Sequence, residues 1–163
     1  MKWGPLALIA TSVACYRPCE GPPTQLLGEF RSHMTPAAVS RTLGPCKWQV
    51  LESAPWSKED PRPRYDFLKV DVTKCLPIGK ATRVEMHFFN DRLAGILLVV
   101  QDTKGYLADL EKEGRWQRGP DGSLRGDKAT HVWSAVNWKN EPYVLWEDAC
   151  LAEESRSWIS AYA

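Results

Sequence analysis

Apolar and polar residues alternate along most of this chain, and the alternation gives way to a helical period in two places. In Tyr65 to Val72, Leu68, Val70 and Val72 share one face opposite Phe67, Lys69 and Asp71, the period of two expected of a half-buried strand. Thr82 to Phe89 repeats the pattern, with Val84, Met86 and Phe88 set against Arg83, Glu85 and His87. Asn90-Asp91 then offers residues that accept left-handed turn geometry, and Leu93 to Val100 returns as the second arm of a hairpin. Ile96 to Val100 is apolar on both faces, which predicts a central strand, or one pressed between a helix and another protein. Thr130 to Trp138 and Tyr143 to Asp148 read as another hairpin, Trp48 to Glu52 as a short strand and Trp158 to Tyr162 as a last one.

The helical period appears first after Thr35, a natural N-cap. Pro36 fits the first helical position, Val39 and Leu43 lie four apart on one face, and Gly44-Pro45 ends the run. A second helix is predicted from Lys104 to Glu113, with Tyr106, Leu107 and Leu110 as a narrow apolar stripe and Gly114 as its stop. Arg115 to Lys128 holds Gly119-Pro120-Asp121-Gly122 and reads as a loop with tight turns. The predicted fold is therefore α+β, an antiparallel sheet with helices packed on one face, arranged as two αβββ units.

The N-terminus changes the picture of where such a domain works. Lys2, the apolar stretch Trp3 to Ala10 and the small residues Ser12 to Ala14 predict an export signal over residues 1–14, too short to span a bilayer. Ser12-Val13-Ala14-Cys15 resembles the lipobox of bacterial lipoproteins, so Cys15 is the candidate lipidation site; an ordinary secretory cut after Ala14, giving a secreted or soluble periplasmic chain, is the alternative. Residues 15–25, rich in Pro and polar side chains, then form a tether, and 26–163 the globular domain. Tyr16, rather than Asp, comes after Cys15, which in Gram-negative lipoproteins permits transport to the outer membrane, with the domain facing the periplasm.

Cysteine usage agrees with export. Setting Cys15 aside leaves Cys19, Cys46, Cys75 and Cys150, an even set suited to two disulfides in an oxidising compartment. Cys46 with Cys75 is the first choice, closing a loop that would stabilise by about 3 to 4 kcal/mol, and Cys19 with Cys150 would tie the tether to the domain. No C-x-x-C pair occurs and His33, His87 and His131 are far apart in sequence, so no metal is expected. Loss of Lys2 with the signal takes the formal charge from +1 to zero, and no basic run is present, which argues against a nucleic-acid partner.

The segment His33-Met34-Thr35-Pro36-Ala37-Ala38-Val39-Ser40-Arg41-Thr42-Leu43-Gly44 has the spacing M-T-x-x-x-V-x-x-x-L-G. It resembles the helix signature of SmpA/OmlA-type outer-membrane lipoproteins and of the similar beta-lactamase-inhibitor-like domains. The hairpin Val84 to Val100, with its N-D-x-L turn, is similar to the one downstream of that helix in those families. The resemblance implies a short helix on an antiparallel sheet and a role as an assembly subunit or protein inhibitor.

Catalytic signatures are missing: there is no G-x-S-x-G, H-E-x-x-H, Walker loop or dinucleotide fingerprint, so neither an enzyme nor a cofactor is expected. The carboxylates Glu147 and Asp148 are adjacent on a predicted strand and so point to opposite faces. Tryptophan stands out instead. Trp56, Trp116, Trp133 and Trp146 are the candidate binding residues, since Trp, Tyr and Arg dominate interface hot spots. The expected function is a lipid-anchored envelope protein that binds another, unidentified envelope protein without catalysis. The alternatives are a periplasmic inhibitor or immunity protein, and a glycan-binding module.

Overall fold

The computed structural model describes residues 15–126 and 129–163; the export signal expected over residues 1–14 lies outside the described residues. The elements run α1 (Pro36–Leu43), β1 (Gln49–Ala54), β2 (Phe67–Asp71), β3 (Arg83–Phe89), β4 (Arg92–Val99), α2 (Thr103–Glu111), β5 (Gln117–Arg118), β6 (Leu124–Arg125), β7 (Thr130–Val136), β8 (Pro142–Asp148) and α3 (Ala149–Tyr162). One eight-stranded sheet has the order β1-β2-β3-β4-β8-β7-β6-β5, and its pairings are antiparallel. Each half of the chain is thus a helix followed by a four-stranded meander, and the halves join where β4 meets β8. The fold is α+β as expected, with four strands per half rather than three. The extra pair in the second half, β5 and β6, is only two residues each and sits in the stretch that glycine and proline mark as a loop.

Local chemistry explains the helices. Thr35 accepts from the Ala38 N–H at 3.2 Å, Pro36 opens α1, and Gly44 leaves it with φ 73°, so the cap, start and stop are those the sequence predicts. Asp102 caps α2 in the same way through Gly105 N–H. The segment Trp158 to Tyr162 is not a strand but the end of α3. Asp148 caps that helix by accepting from the Cys150 and Leu151 N–H groups, and Leu151, Glu154 and Trp158 recur at helical spacing on its buried side. The short apolar run at the C-terminus resembles a strand only when Asp148 is left out of view.

The alternation seen in sequence sorts the sheet into two unlike faces. Val70, Val84, Met86, Phe88, Ile96, Leu98, Val132, Val144 and Trp146 point one way and form the main core with Val39 of α1 and Leu107 and Leu110 of α2. Ahead of α1, Leu26 and Phe30 join the same core. The apolar residues of α3 stand outside that cluster. Trp158 stacks on Tyr65 at 4.4 Å, Tyr65 meets Phe89 at 5.2 Å, and Leu151 lines a depression with Phe67, His87 and Leu145, residues of the alternate phase. Val39 of α1 and Leu107 and Leu110 of α2 thus belong to one core cluster, while Leu151 and Trp158 of α3 meet residues of the alternate phase.

Candidate functional site: the open sheet face

Among the described residues, the rest of that second face carries no helix. Registers across it run strand by strand: Lys69 pairs with His87, His87 with Gly95, Gly95 with Glu147, and Glu147 with His131. The next row runs Glu85, Leu97, Leu145, Trp133, and the one above it Arg83, Val99, Tyr143, Ala135. Leu51 and Glu52 on β1 and Asn137, Trp138 and Lys139 at the β7–β8 turn line one depression of about 590 Å³ over Leu97, Tyr143 and Leu145. Walls from both sides of the sheet make this face concave.

Its charges are neutralised in place. Arg83 donates to Glu85 Oε1 at 2.7 Å and, with its two terminal nitrogens, to Glu141 at 2.9 and 3.2 Å. His87 Nε2 lies 3.2 Å from Glu85 Oε2, and Lys69 pairs with Glu52 at 3.2 Å. Burial would raise the Glu85 carboxyl, but His87 and Arg83 together hold it below the usual carboxylate range. On the other half, Trp133 Nε1 donates to Glu147 Oε1 at 2.8 Å, and His131 Nδ1 lies 3.3 Å from the same oxygen. Between these pairs runs an apolar strip of Leu97, Leu145 and Tyr143, with the Trp133 ring edge-on to Tyr143 at 5.8 Å. Trp138 overhangs it, 88% exposed, with Lys139 Nζ 4.9 Å above its ring.

The tryptophans fall on both sides of this division. Trp133 is half-buried on the open face, whereas Trp146 is 1% and Trp116 8% exposed, stacked edge-on at 5.2 Å in the main core. Trp116 and Trp146 are thus corrected from binding candidates to core residues. Alternation puts Trp146 in phase with Val144, which is the buried phase, and Trp116 is drawn in by packing that a loop sequence does not reveal. Trp56 is half-buried, and its Nε1 has no hydrogen-bond partner. Trp138 and Tyr143 take their place. Tyr143 is legible from its phase opposite Val144, and Trp138 from its position beside a polar turn.

The candidate disulfides are in place: Cys46 is joined to Cys75 and Cys19 to Cys150. Cys15 is exposed at the start of the described residues. The segment behind it is fastened to α3 by more than the disulfide. Cys19 N–H donates to Glu154 Oε2 at 2.8 Å, Tyr16 donates to Glu154 Oε1 at 2.8 Å, and Arg92 of β4 donates to the same oxygen at 2.8 Å. Burial would raise the Glu154 carboxyl, yet Arg92, the Cys19 N–H and Tyr16 keep it below its ordinary range. The Tyr16 hydroxyl, desolvated and facing that carboxylate, is pushed up to about 12.

Comparison with protein-family models, with curated proteins and with solved structures finds no match to this chain. Function therefore rests on the geometry. Among the described residues, neither His87 nor His131 hydrogen-bonds a serine, threonine or cysteine; each contacts a glutamate. No described helix is long and apolar enough to cross a membrane.

Proposed function

We propose that this chain is a lipid-anchored protein of the cell envelope that binds a partner protein on its open sheet face and catalyses no reaction. The observation that carries the reading is the unequal treatment of the two faces. Two helices cover one, while the other presents an apolar and aromatic strip bordered by charges already paired within the chain. A surface of this kind presents a few well-placed anchors, such as Trp138 and Tyr143, to a complementary protein. Because Arg83, Glu85, Glu141, Lys69 and Glu52 satisfy one another, they need no partner charge when water is excluded, and binding should depend little on salt.

The anchoring half of the proposal rests on the sequence around Cys15 and on the two disulfides, which suit an oxidising compartment. With lipid on Cys15, the ties from Tyr16 and Cys19 to α3 would hold the domain close to the membrane surface rather than on a slack leash. Affinity capture from envelope fractions, with the mass of the N-terminal peptide measured in parallel, tests both halves. One enriched protein that is lost with Trp138→Ala and Tyr143→Ala, together with a lipidated Cys15, is the expected result. Unmodified Cys15 in a soluble fraction contradicts the anchor, and capture unchanged by those substitutions contradicts the site. If tryptophan fluorescence instead responds to peptidoglycan or another polysaccharide and no protein is captured, the face binds glycan.

A further inference from the structure

Two buried polar atoms at the junction of the N-terminal segment and α3 are left without hydrogen bonds, and they face each other. His33 Nε2 and Asp148 Oδ2 lie 3.7 Å apart, and the Asp148 side chain is fully buried. Its other oxygen is spent on capping α3. An orphaned carboxylate oxygen in such a place calls for a partner, such as an ion. The same carboxylate lies with Cys19 Sγ and Cys150 Sγ in a group whose ligand atoms are all within 4.8 Å of one another. Gly21 packs close over the two sulfurs, where a side chain would begin 3.3 Å from Cys150 Sγ and 3.8 Å from Cys19 Sγ.

We propose that reduction of the Cys19–Cys150 disulfide turns this junction into a binding site for zinc or a similar divalent cation, held by Cys19, Cys150, Asp148 and His33. Two thiolates, a carboxylate and an imidazole are a donor set for tetrahedral zinc, and ideal bond lengths would put nitrogen and oxygen ligands about 3.4 Å apart. His33 stands outside the 4.8 Å group and reaches it through Asp148 alone, at 3.7 Å, so its ring has to close on the sulfurs to complete the set. The sulfurs separate once their bond is broken, across a Cα–Cα distance of 5.4 Å. A dithiol supplies the reduction: its two electrons convert the disulfide to two thiols while it becomes a disulfide itself. The metal then displaces both thiol protons to solvent. Disulfide and metal are thus mutually exclusive clasps for the same seam, each tying the N-terminal segment to α3. Spacing along the chain does not reveal this cluster, because Cys19 and Asp148, and His33 beside Asp148, are brought near one another only by the fold.

The test uses the full chain carrying Cys15→Ser, reduced with a phosphine and titrated with cobalt(II) as a spectroscopic stand-in for zinc. The expected result is one cobalt per chain, with the intense visible absorption of a tetrahedral site and a thiolate charge-transfer band. The oxidised protein should show neither. Cys46→Ser with Cys75→Ser should leave the spectrum unchanged, while Asp148→Asn and His33→Asn should each weaken binding by at least about tenfold. Asn can still cap α3 and tolerates the left-handed backbone of His33, at φ 67°, so both variants are expected to fold. A reduced protein without that absorption, one whose absorption is the same in both variants, or one whose circular dichroism shows the fold is lost on reduction overturns the proposal.

Discussion

The two faces of the sheet are built by the same strands and have opposite chemistry. On β8, Val144, Trp146 and Asp148 are buried beneath helices or caps, while Tyr143, Leu145 and Glu147 look out from the other side. On β3, Met86 is fully buried, and its neighbours Glu85 and His87 lie 3.2 Å apart on the open face. The covered face is held by volume, so its tolerance to change is set by cavities. The open face is held by pairing, so single changes there expose a charge or an anchor without leaving a void. A surface kept neutral by its own ion pairs and provided with exposed rings differs from one that is merely left over.

The largest effect is expected on the covered face. Trp146→Ala removes a fully buried ring that also donates to the Tyr106 hydroxyl at 3.1 Å, and should cost about 3 to 5 kcal/mol in denaturant unfolding. Leu145→Ala, one residue away and in the opposite phase, should cost less than about 1.5 kcal/mol. Equal losses would show that the faces do not differ as described.

Next in size is the junction that fastens the N-terminal segment. Glu154→Ala leaves Arg92 without its buried carboxylate and should cost about 3 kcal/mol, with faster amide exchange at Cys19. The same groups set the pH dependence. Glu154 and Glu85 both have folded pKa values below their ordinary ones, so their contribution is present above about pH 4.5 and is lost as pH falls through the lowered values. Tyr16 has the opposite sign: raised from 10.0 to about 12, it adds stability below pH 10 that disappears as pH rises toward 12. Stability measured against pH should therefore fall at both ends, and Tyr16→Phe should remove part of the alkaline loss and, because Tyr16 also helps to lower Glu154, a smaller part of the acid limb.

The smallest effect on stability belongs to the open face. Trp138→Ala should change unfolding free energy by no more than about 0.5 kcal/mol, as its ring is almost wholly in solvent. Its consequence should be seen in binding alone. Raising the salt concentration should likewise leave binding nearly unchanged; a steep loss would mean that Arg83 or Lys69 is engaged by the partner rather than by its own neighbours.

Much of this division is legible in the chain itself. The Leu68-Val70-Val72 and Val84-Met86-Phe88 triplets name the covered face, and Asn90-Asp91 takes the positive φ values of the hairpin turn, 50° and 58°. Thr35, Pro36 and Gly44 act locally, so they can be read locally. The features that escape such a reading depend on distant contacts. Trp116 can be known as buried only through Trp146, and α3 only through its Asp148 cap, while β5 and β6 are too short for a period to show. The site is legible in part: phase points to Trp133 and Tyr143 and the polar turn to Trp138, but that Trp138 shares one depression with Leu51 and Glu52 of β1 depends on the assembled sheet.

The open face, and no other part of the surface, is expected to meet the partner. A photo-crosslinking amino acid placed at Tyr143 or Leu97, and at Thr42 on the exposed side of α1 as control, tests this in intact envelopes. One adduct of defined mass from the first two positions and none from Thr42 is the predicted result. Adducts from Thr42 as readily as from Tyr143, or none from Tyr143 and Leu97, would contradict the account.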